Sequence, residues 1–210
     1  RGLVGSEMCI RDSESTDLWS PSLYRKFIFP LLKKEVDLTH QAGTKFGYIM
    51  TSGVMPLLDD LLNSGIDVLI GVDPVQGRGT NLKMLKEMVK THLNLQISPT
   101  DQLLTLAFSV APDMITLIPG KKAGSTQGGG LDVLGNGEKL SRVVDEIRTQ
   151  NIVVSLLIEP LIHQVKAAAK IGADYVEFHL GRYAAAEDLT ERADILENIS
   201  SVASAASKLD

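Results

Sequence analysis

Short, nearly unbroken apolar runs alternate along this chain with longer segments in which apolar residues return every three or four positions. The first pattern fits strands covered on both faces, and the second fits helices with one buried stripe. Strands are predicted at residues 45–50, 67–72, 93–97, 114–118 and 152–158, and within 172–183 at 174–179. The 152–158 run, Ile-Val-Val-Ser-Leu-Leu-Ile, is the most continuous of them. Ser20-Pro21 starts a helix that continues to His40, with Pro30 kinking or dividing it. Further helices are predicted at 54–63 with Leu57, Leu58, Leu61 and Leu62 on one face, and at 82–89 with Leu82, Leu85 and Val89 inward. Others begin at Ser98-Pro99 or span 138–150, 160–171 and 187–208, with Leu161, Val165, Ala168 and Ala169 at helical spacing in the 160–171 segment.

Gly43, Gly65, Asn151 and Gly172 stand where helices hand over to strands, so the chain reads as a run of βα units. The spacing suits a TIM-like barrel or a doubly wound sheet. Six predicted strands fall short of the eight of a closed barrel, so the expected fold is α/β, an incomplete TIM-type (βα) barrel of parallel strands. Edges at 45–50 and 174–179 would then be open to association.

Composition narrows the functional classes. The chain has 210 residues, 44% hydrophobic and 22% charged, enough apolar material for one sizeable core. A formal charge of −5 and a pI near 5.4 supply no basic stripe for phosphates of a nucleic acid. One cysteine, Cys9, excludes an internal disulfide, and no apolar run is long enough for a membrane helix. A cytoplasmic protein without nucleic-acid or membrane partners is expected. Residues 1–13 lack a helical or strand period and are left out of the fold as a disordered leader. They resemble a translated library adapter of the kind found in metagenomic reading frames, which would make Cys9 an artefact.

In parallel α/β folds ligands meet the carboxyl ends of strands, which singles out Glu177, His179 and Arg182 in the stretch Gly-Ala-Asp-Tyr-Val-Glu-Phe-His-Leu-Gly-Arg-Tyr. Glu177 and His179 lie two apart and share a face. A carboxylate buried there needs a partner, and a functional role and a structural ion pair both satisfy that need. The glycine-rich connection at 119–137 lacks a Walker pattern, and Gly77-Arg-Gly79 lacks the third glycine of a dinucleotide site. The glycines at 120–130 suit a flexible linker first and a substrate loop second, since glycine permissiveness serves both. His40, His92, His163 and His179 show no metal-ligand spacing. Asn198-Ile-Ser200 matches a glycosylation sequon by chance, on a helix.

From Leu93 onward the sequence resembles pyridoxine 5′-phosphate synthases. The resemblance rests on Leu-Asn-Leu-Gln at 93–96, Thr-Leu-Ile-Pro at 116–119, Gly-Gly-Leu-Asp-Val at 129–133, Val-Ser-Leu-Leu-Ile at 154–158 and Glu-Phe-His-Leu-Gly-Arg-Tyr at 177–183. It implies an (α/β)₈ barrel that condenses 3-amino-2-oxopropyl phosphate with 1-deoxy-D-xylulose 5-phosphate in vitamin B6 biosynthesis. It implies a cytoplasmic homo-oligomer with phosphorylated small-molecule substrates and no metal or organic cofactor. Glu177 matches the family's transition-state-stabilising glutamate, and Thr126 a threonine that contacts the deoxyxylulose phosphate. Gln96 stands where the family has its proton-accepting glutamate, and an amide cannot serve as that base. The family's His-Leu-Arg-Glu-Asp motif is replaced by Val-Leu-Ile-Gly-Val-Asp-Pro at 68–74. Its seventh and eighth strands, with a proton-donating histidine and a phosphate site, are expected to be missing.

Residues 14–88 resemble uroporphyrinogen decarboxylase-like proteins, a group that includes cobamide methyltransferase relatives. The carrying residues are Ser-Pro-Ser-Leu-Tyr-Arg-Lys-Phe at 20–27, Gly-Tyr-Ile-Met-Thr-Ser-Gly at 47–53, Pro-Leu-Leu-Asp-Asp at 56–60 and Ser-Gly-Ile-Asp-Val-Leu-Ile-Gly-Val-Asp-Pro at 64–74. Met50 and Thr51 offer no zinc ligand where zinc-using relatives carry histidine or cysteine. The expected organisation is a leader at 1–13, a decarboxylase-like part at 14–88 and a synthase-like part at 89–210, together one incomplete barrel. The expected function is that of an inactive synthase fragment. The alternatives are a decarboxylase- or methyltransferase-like fragment and a non-catalytic chimera.

Overall fold

A computed structural model describes residues 8–12, 20–50, 54–72, 81–89, 91–120 and 129–209. The chain packs as two compact units, one from Arg1–Gln96 with Leu106–Met114, the other from Ile97–Thr105 with Ile115–Asp210.

In the first unit, strands β1 (Met8–Asp12), β2 (Lys45–Ile49), β3 (Val68–Val72) and β4 (His92–Ile97, its last residue in the second unit) pair in parallel and in chain order. β1 corrects the expectation that residues 1–13 stay outside the fold. It aligns Met8 with Lys45 through Asp12 with Ile49, so the edge of β2 expected to be open is paired. No apolar period announces β1, and the structure shows it through its parallel pairing with β2.

The long first helix is interrupted as Pro30 demands. α1 (Pro21–Leu23) is capped by Ser20 and runs into a π-helical turn at Tyr24–Ile28, and α2 (Phe29–Gln41) follows with proline in its first turn. Proline has no N–H and its ring crowds the preceding carbonyls, and the wider turn before it accommodates both. The buried Tyr24 hydroxyl lies 3.0 Å from that of Tyr48 on β2. A 3₁₀ turn (Met55–Leu57) and α3 (Leu58–Ser64) bury Leu57, Leu58 and Leu61, whereas Leu62 is exposed, one position off the buried stripe. α4 (Leu82–Met88) buries Leu82 and Leu85, with Val89 as its half-buried C-cap.

α5 (Asp101–Val110) and β5 (Met114–Leu117) carry the chain across the division between units. The second unit continues with α6 (Gly137–Thr149), β6 (Val153–Ile158), α7 (Ile162–Lys170), β7 (Tyr175–Phe178), α8 (Gly181–Ala185) and α9 (Leu189–Ala206). β6 pairs in parallel with β7, and α9 lies against α7 and α8. β6 is covered as its apolar run predicts, with Val154, Ser155, Leu156 and Ile158 fully buried. α7 buries Val165 and Ala168, but Leu161 and Ala169 are exposed, and Gln164 takes a buried place instead. Strand order follows chain order from β1 to β7 without a reversal. A doubly wound sheet requires such a switch point, so the topology is that of an incomplete TIM-type (βα) barrel.

One turn recurs at five of the returns from helix to strand. Gly43, Gly65, Ala111, Asn151 and Gly172 all have positive φ, between 50° and 87°. The left-handed residue reverses the chain and the strand starts about two residues later. After three of these turns the second residue is aspartate. The N–H of Asp67 donates to the Phe46 carbonyl at 2.9 Å, and the Phe46 N–H donates back to the Asp67 carboxylate at 2.9 Å. Asp113 forms the same reciprocal pair with Leu93, and Asp174 with Val154. Each aspartate so closes the first rung between its strand and the one before.

Candidate functional site

Glu177 sits on β7 in register with Leu157 of β6. Its Oε1 accepts hydrogen bonds from Thr116 Oγ1 of β5 at 2.6 Å and from Ser155 Oγ of β6 at 3.2 Å. Both hydroxyl residues are fully buried while Glu177 is half-buried. Three successive strands of the second unit thus converge on one carboxylate. Both hydroxyls donate to the same carboxylate oxygen and fix the orientation of the side chain.

The carboxyl ends of β6 and β7 carry a second carboxylate. Glu159 follows β6 and His179 follows β7, and the ladder continues through the His179 N–H to the Ile158 carbonyl at 2.8 Å. Glu159 Oε1 lies 3.1 Å from His179 Nδ1 and accepts the Gly130 N–H at 2.9 Å. A Cβ at Gly130 would fall 2.2 Å from the Glu159 nitrogen, so only glycine admits this approach. Leu131 joins the same strand end, its N–H 2.7 Å from the Leu157 carbonyl. The turn beyond is clasped by the buried Gln164. Its Oε1 accepts from Val133 N and Leu134 N, and its Nε2 donates to Asp132. The bond from Gln164, joined by the Gly135 N–H, holds the Asp132 carboxyl below its ordinary range.

The structure therefore brings Glu177 and His179 to the strand ends where they were expected. Arg182 is exposed in the first turn of α8. Gln96 belongs to the first unit, half-buried on β4. Gly71, at φ +79 in a β3 irregularity, leaves it room, since a Cβ there would sit 3.3 Å from the Gln96 side-chain oxygen and 3.2 Å from Ile49. Thr126, Thr51, Gly77-Arg-Gly79 and most of the 120–130 loop lie outside the described residues.

The candidate partners of Glu177 and His179 were missed from sequence. A lone hydroxyl inside an apolar strand, as at Thr116 and Ser155, was the available signal. Among the described residues no group of three or more His, Cys, Asp and Glu could hold a metal ion, and no helix is long and apolar enough to cross a membrane. The Asn198 side chain of the sequon donates to the Pro160 carbonyl.

Two solved structures share the fold. The chain aligns with a thiamine phosphate pyrophosphorylase from Pyrococcus furiosus at TM-score 0.61 and 14% identity, covering 97% of this chain and 86% of that one. It aligns with the YdjI aldolase from Escherichia coli K12 at TM-score 0.54 and 12% identity, covering 99% and 82%. Among curated proteins, pyridoxine 5′-phosphate synthase from Geotalea uraniireducens is 40% identical over 145 residues, 69% of this chain and 61% of the relative. The synthase from Microcystis aeruginosa is 37% identical over 132 residues, 63% and 55% respectively. The chain therefore spans less than two thirds of the length of these relatives. The model of the pyridoxal phosphate biosynthesis protein PdxJ matches residues 70–210, starting inside β3 and upstream of the boundary expected near residue 88. That match covers more than half of the chain and includes Glu177, His179 and Glu159: the chain belongs to the PdxJ family.

Proposed function

We propose that the second unit carries part of a pyridoxine 5′-phosphate synthase-type site, which binds phosphorylated carbonyl substrates of that reaction, and that this chain does not complete the condensation. The carrying observation is the Glu177 carboxylate, fixed by Thr116 and Ser155 within the segment that matches the family motif. Joining 3-amino-2-oxopropyl phosphate to 1-deoxy-D-xylulose 5-phosphate passes through an imine and loses water and phosphate. A preorganised carboxylate stabilises the cationic stages of that sequence. Thr126, through the family resemblance, contacts the deoxyxylulose phosphate.

Turnover fails for a reason written in two positions. Ring closure requires repeated proton removal, and Gln96 offers an amide where the family has a carboxylate base. Val68–Val72 is a buried apolar strand, in the stretch where the family carries a histidine and phosphate-binding arginines. The test is incubation of the purified chain with both substrates, following pyridoxine 5′-phosphate by fluorescence. Product formation at the no-protein rate is expected. Turnover in the usual enzyme range of about 1 s⁻¹ or more would overturn the loss of activity.

A further inference from the structure

The pair formed by Glu159 and His179 is absorbed neither by the strand pairing nor by the role of Glu177. The Glu159 side chain is 30% exposed and that of His179 28%, so both border solvent at the carboxyl ends of their strands. One carboxylate oxygen takes both the Gly130 N–H and His179 Nδ1. The Gly130 N–H donates to this oxygen and holds it in place, and a carboxylate has no hydrogen of its own to give. Nδ1 then carries the hydrogen. The ring also packs against the chain at Gly181, where a Cβ would lie 2.5 Å from His179 Cε1 and 3.2 Å from each ring nitrogen. The imidazole is therefore held by a bond at Nδ1 and by close packing against the backbone at Gly181.

We propose that Glu159 is a positioning residue that locks His179 as the Nδ1–H tautomer and so presents Nε2 as a proton acceptor to a carbonyl substrate at the β6–β7 strand ends. This inference rests on the substrate class proposed above. When a ligand N–H, O–H or C–H bond gives up its proton, the bonding pair stays on the ligand and the proton goes to Nε2. The resulting imidazolium keeps its Nδ1–H on the Glu159 carboxylate, which becomes the counter-charge. Because the same carboxylate grips Gly130, the position of the imidazole is tied to the end of the glycine-rich connection.

The test uses the full chain with ¹⁵N-labelled histidine and long-range ¹H–¹⁵N spectra, with His179→Gln assigning the resonance among the four histidines. The wild type is expected to show Nδ1–H at His179. In Glu159→Ala the ratio of Nδ1–H to Nε2–H should fall about tenfold or more, the effect of losing one charge-assisted hydrogen bond. Glu159→Gln, which keeps the volume, should give a smaller fall, and the exposed His163 should not change. Addition of 1-deoxy-D-xylulose 5-phosphate should move the His179 Nε2 resonance of the wild type. An unchanged tautomer in both folded variants would overturn the role of Glu159 and leave the proposed function standing. A tautomer shift in the variants with no response to the sugar phosphate would overturn the substrate class and leave the hold of Glu159 on His179 intact.

Discussion

Thr116 Oγ1 and Glu177 Oε1 lie 2.6 Å apart across sixty-one residues of sequence, the hydroxyl fully buried and the carboxylate half-buried. The bond joins β5 to β7 and aims the glutamate. Replacing Thr116 by valine keeps the shape and removes the donor. We expect a loss of about 1.5–3 kcal/mol, read as a lower urea midpoint at unchanged m-value, because a hydrogen bond to a charged group is worth about that much. In a Glu177→Gln background the same change should cost less, and equal costs in both backgrounds would mean that the bond does not carry the effect.

Two of the reciprocal aspartates, Asp67 and Asp113, make part of the stability depend on acid. Burial alone would push the Asp67 carboxyl up, but bonds from Lys45, the Phe46 N–H and His40 outweigh it and hold the group below its ordinary 3.8. Asp113 behaves alike, burial being outweighed by the Leu93 N–H and Lys86. A depressed folded value means that the folded state binds the proton less well than the unfolded chain. The associated stability is full above the ordinary, unfolded value and is lost as pH falls through the lower folded value. Urea unfolding from pH 7 to pH 2.5 should show this acid-side decline. Asp67→Asn and Asp113→Asn should each flatten it, and an undiminished slope in the double variant would contradict the assignment.

The left-handed turns predict opposite signs for two substitutions. Gly65 has φ +87 and a Cβ there would meet only Val36 and Lys33 at ordinary contact distance, so Gly65→Ala carries backbone strain of about 1–2 kcal/mol. Ala111 already bears that strain at φ +50. Ala111→Gly relieves it, partly offset by the greater freedom of glycine in the unfolded chain, for a net gain of roughly 0.5 kcal/mol. Thermal unfolding should move down for the first variant and up for the second.

At Gly130 the constraint is space. A methyl group would collide with the backbone at Ile158 and Glu159, so Gly130→Ala should displace the connection from β6 and cost about 1–3 kcal/mol. Hydrogen exchange should then accelerate at Leu131, whose N–H bonds to Leu157, and unchanged protection there would contradict the packing described.

These turns also show what was legible beforehand. Gly43, Gly65, Asn151 and Gly172 announced themselves because glycine and asparagine tolerate positive φ, whereas Ala111 does the same work without the chemistry that signals it. The 152–158 run predicted a covered strand because burial on both faces leaves an apolar trace. β1 left none, since its strand character comes from pairing with β2. α8 is a single short turn after β7, too brief to show a period. For the site, position along a strand was readable: Glu177 and His179 stood at the right end of β7. Their partners were not, because Thr116, Ser155 and Glu159 reach them only through the ordering of β5, β6 and β7, and that ordering is tertiary.

The central claim is that the second unit holds a phosphorylated carbonyl substrate around Glu177 and His179. It is tested most directly by titrating the amide-labelled chain with 1-deoxy-D-xylulose 5-phosphate and mapping shift changes in ¹H–¹⁵N spectra. The account predicts saturable changes centred on Gly130, Glu177 and His179, lost in Glu177→Ala. Changes confined to other surfaces, or none at millimolar ligand, would contradict it.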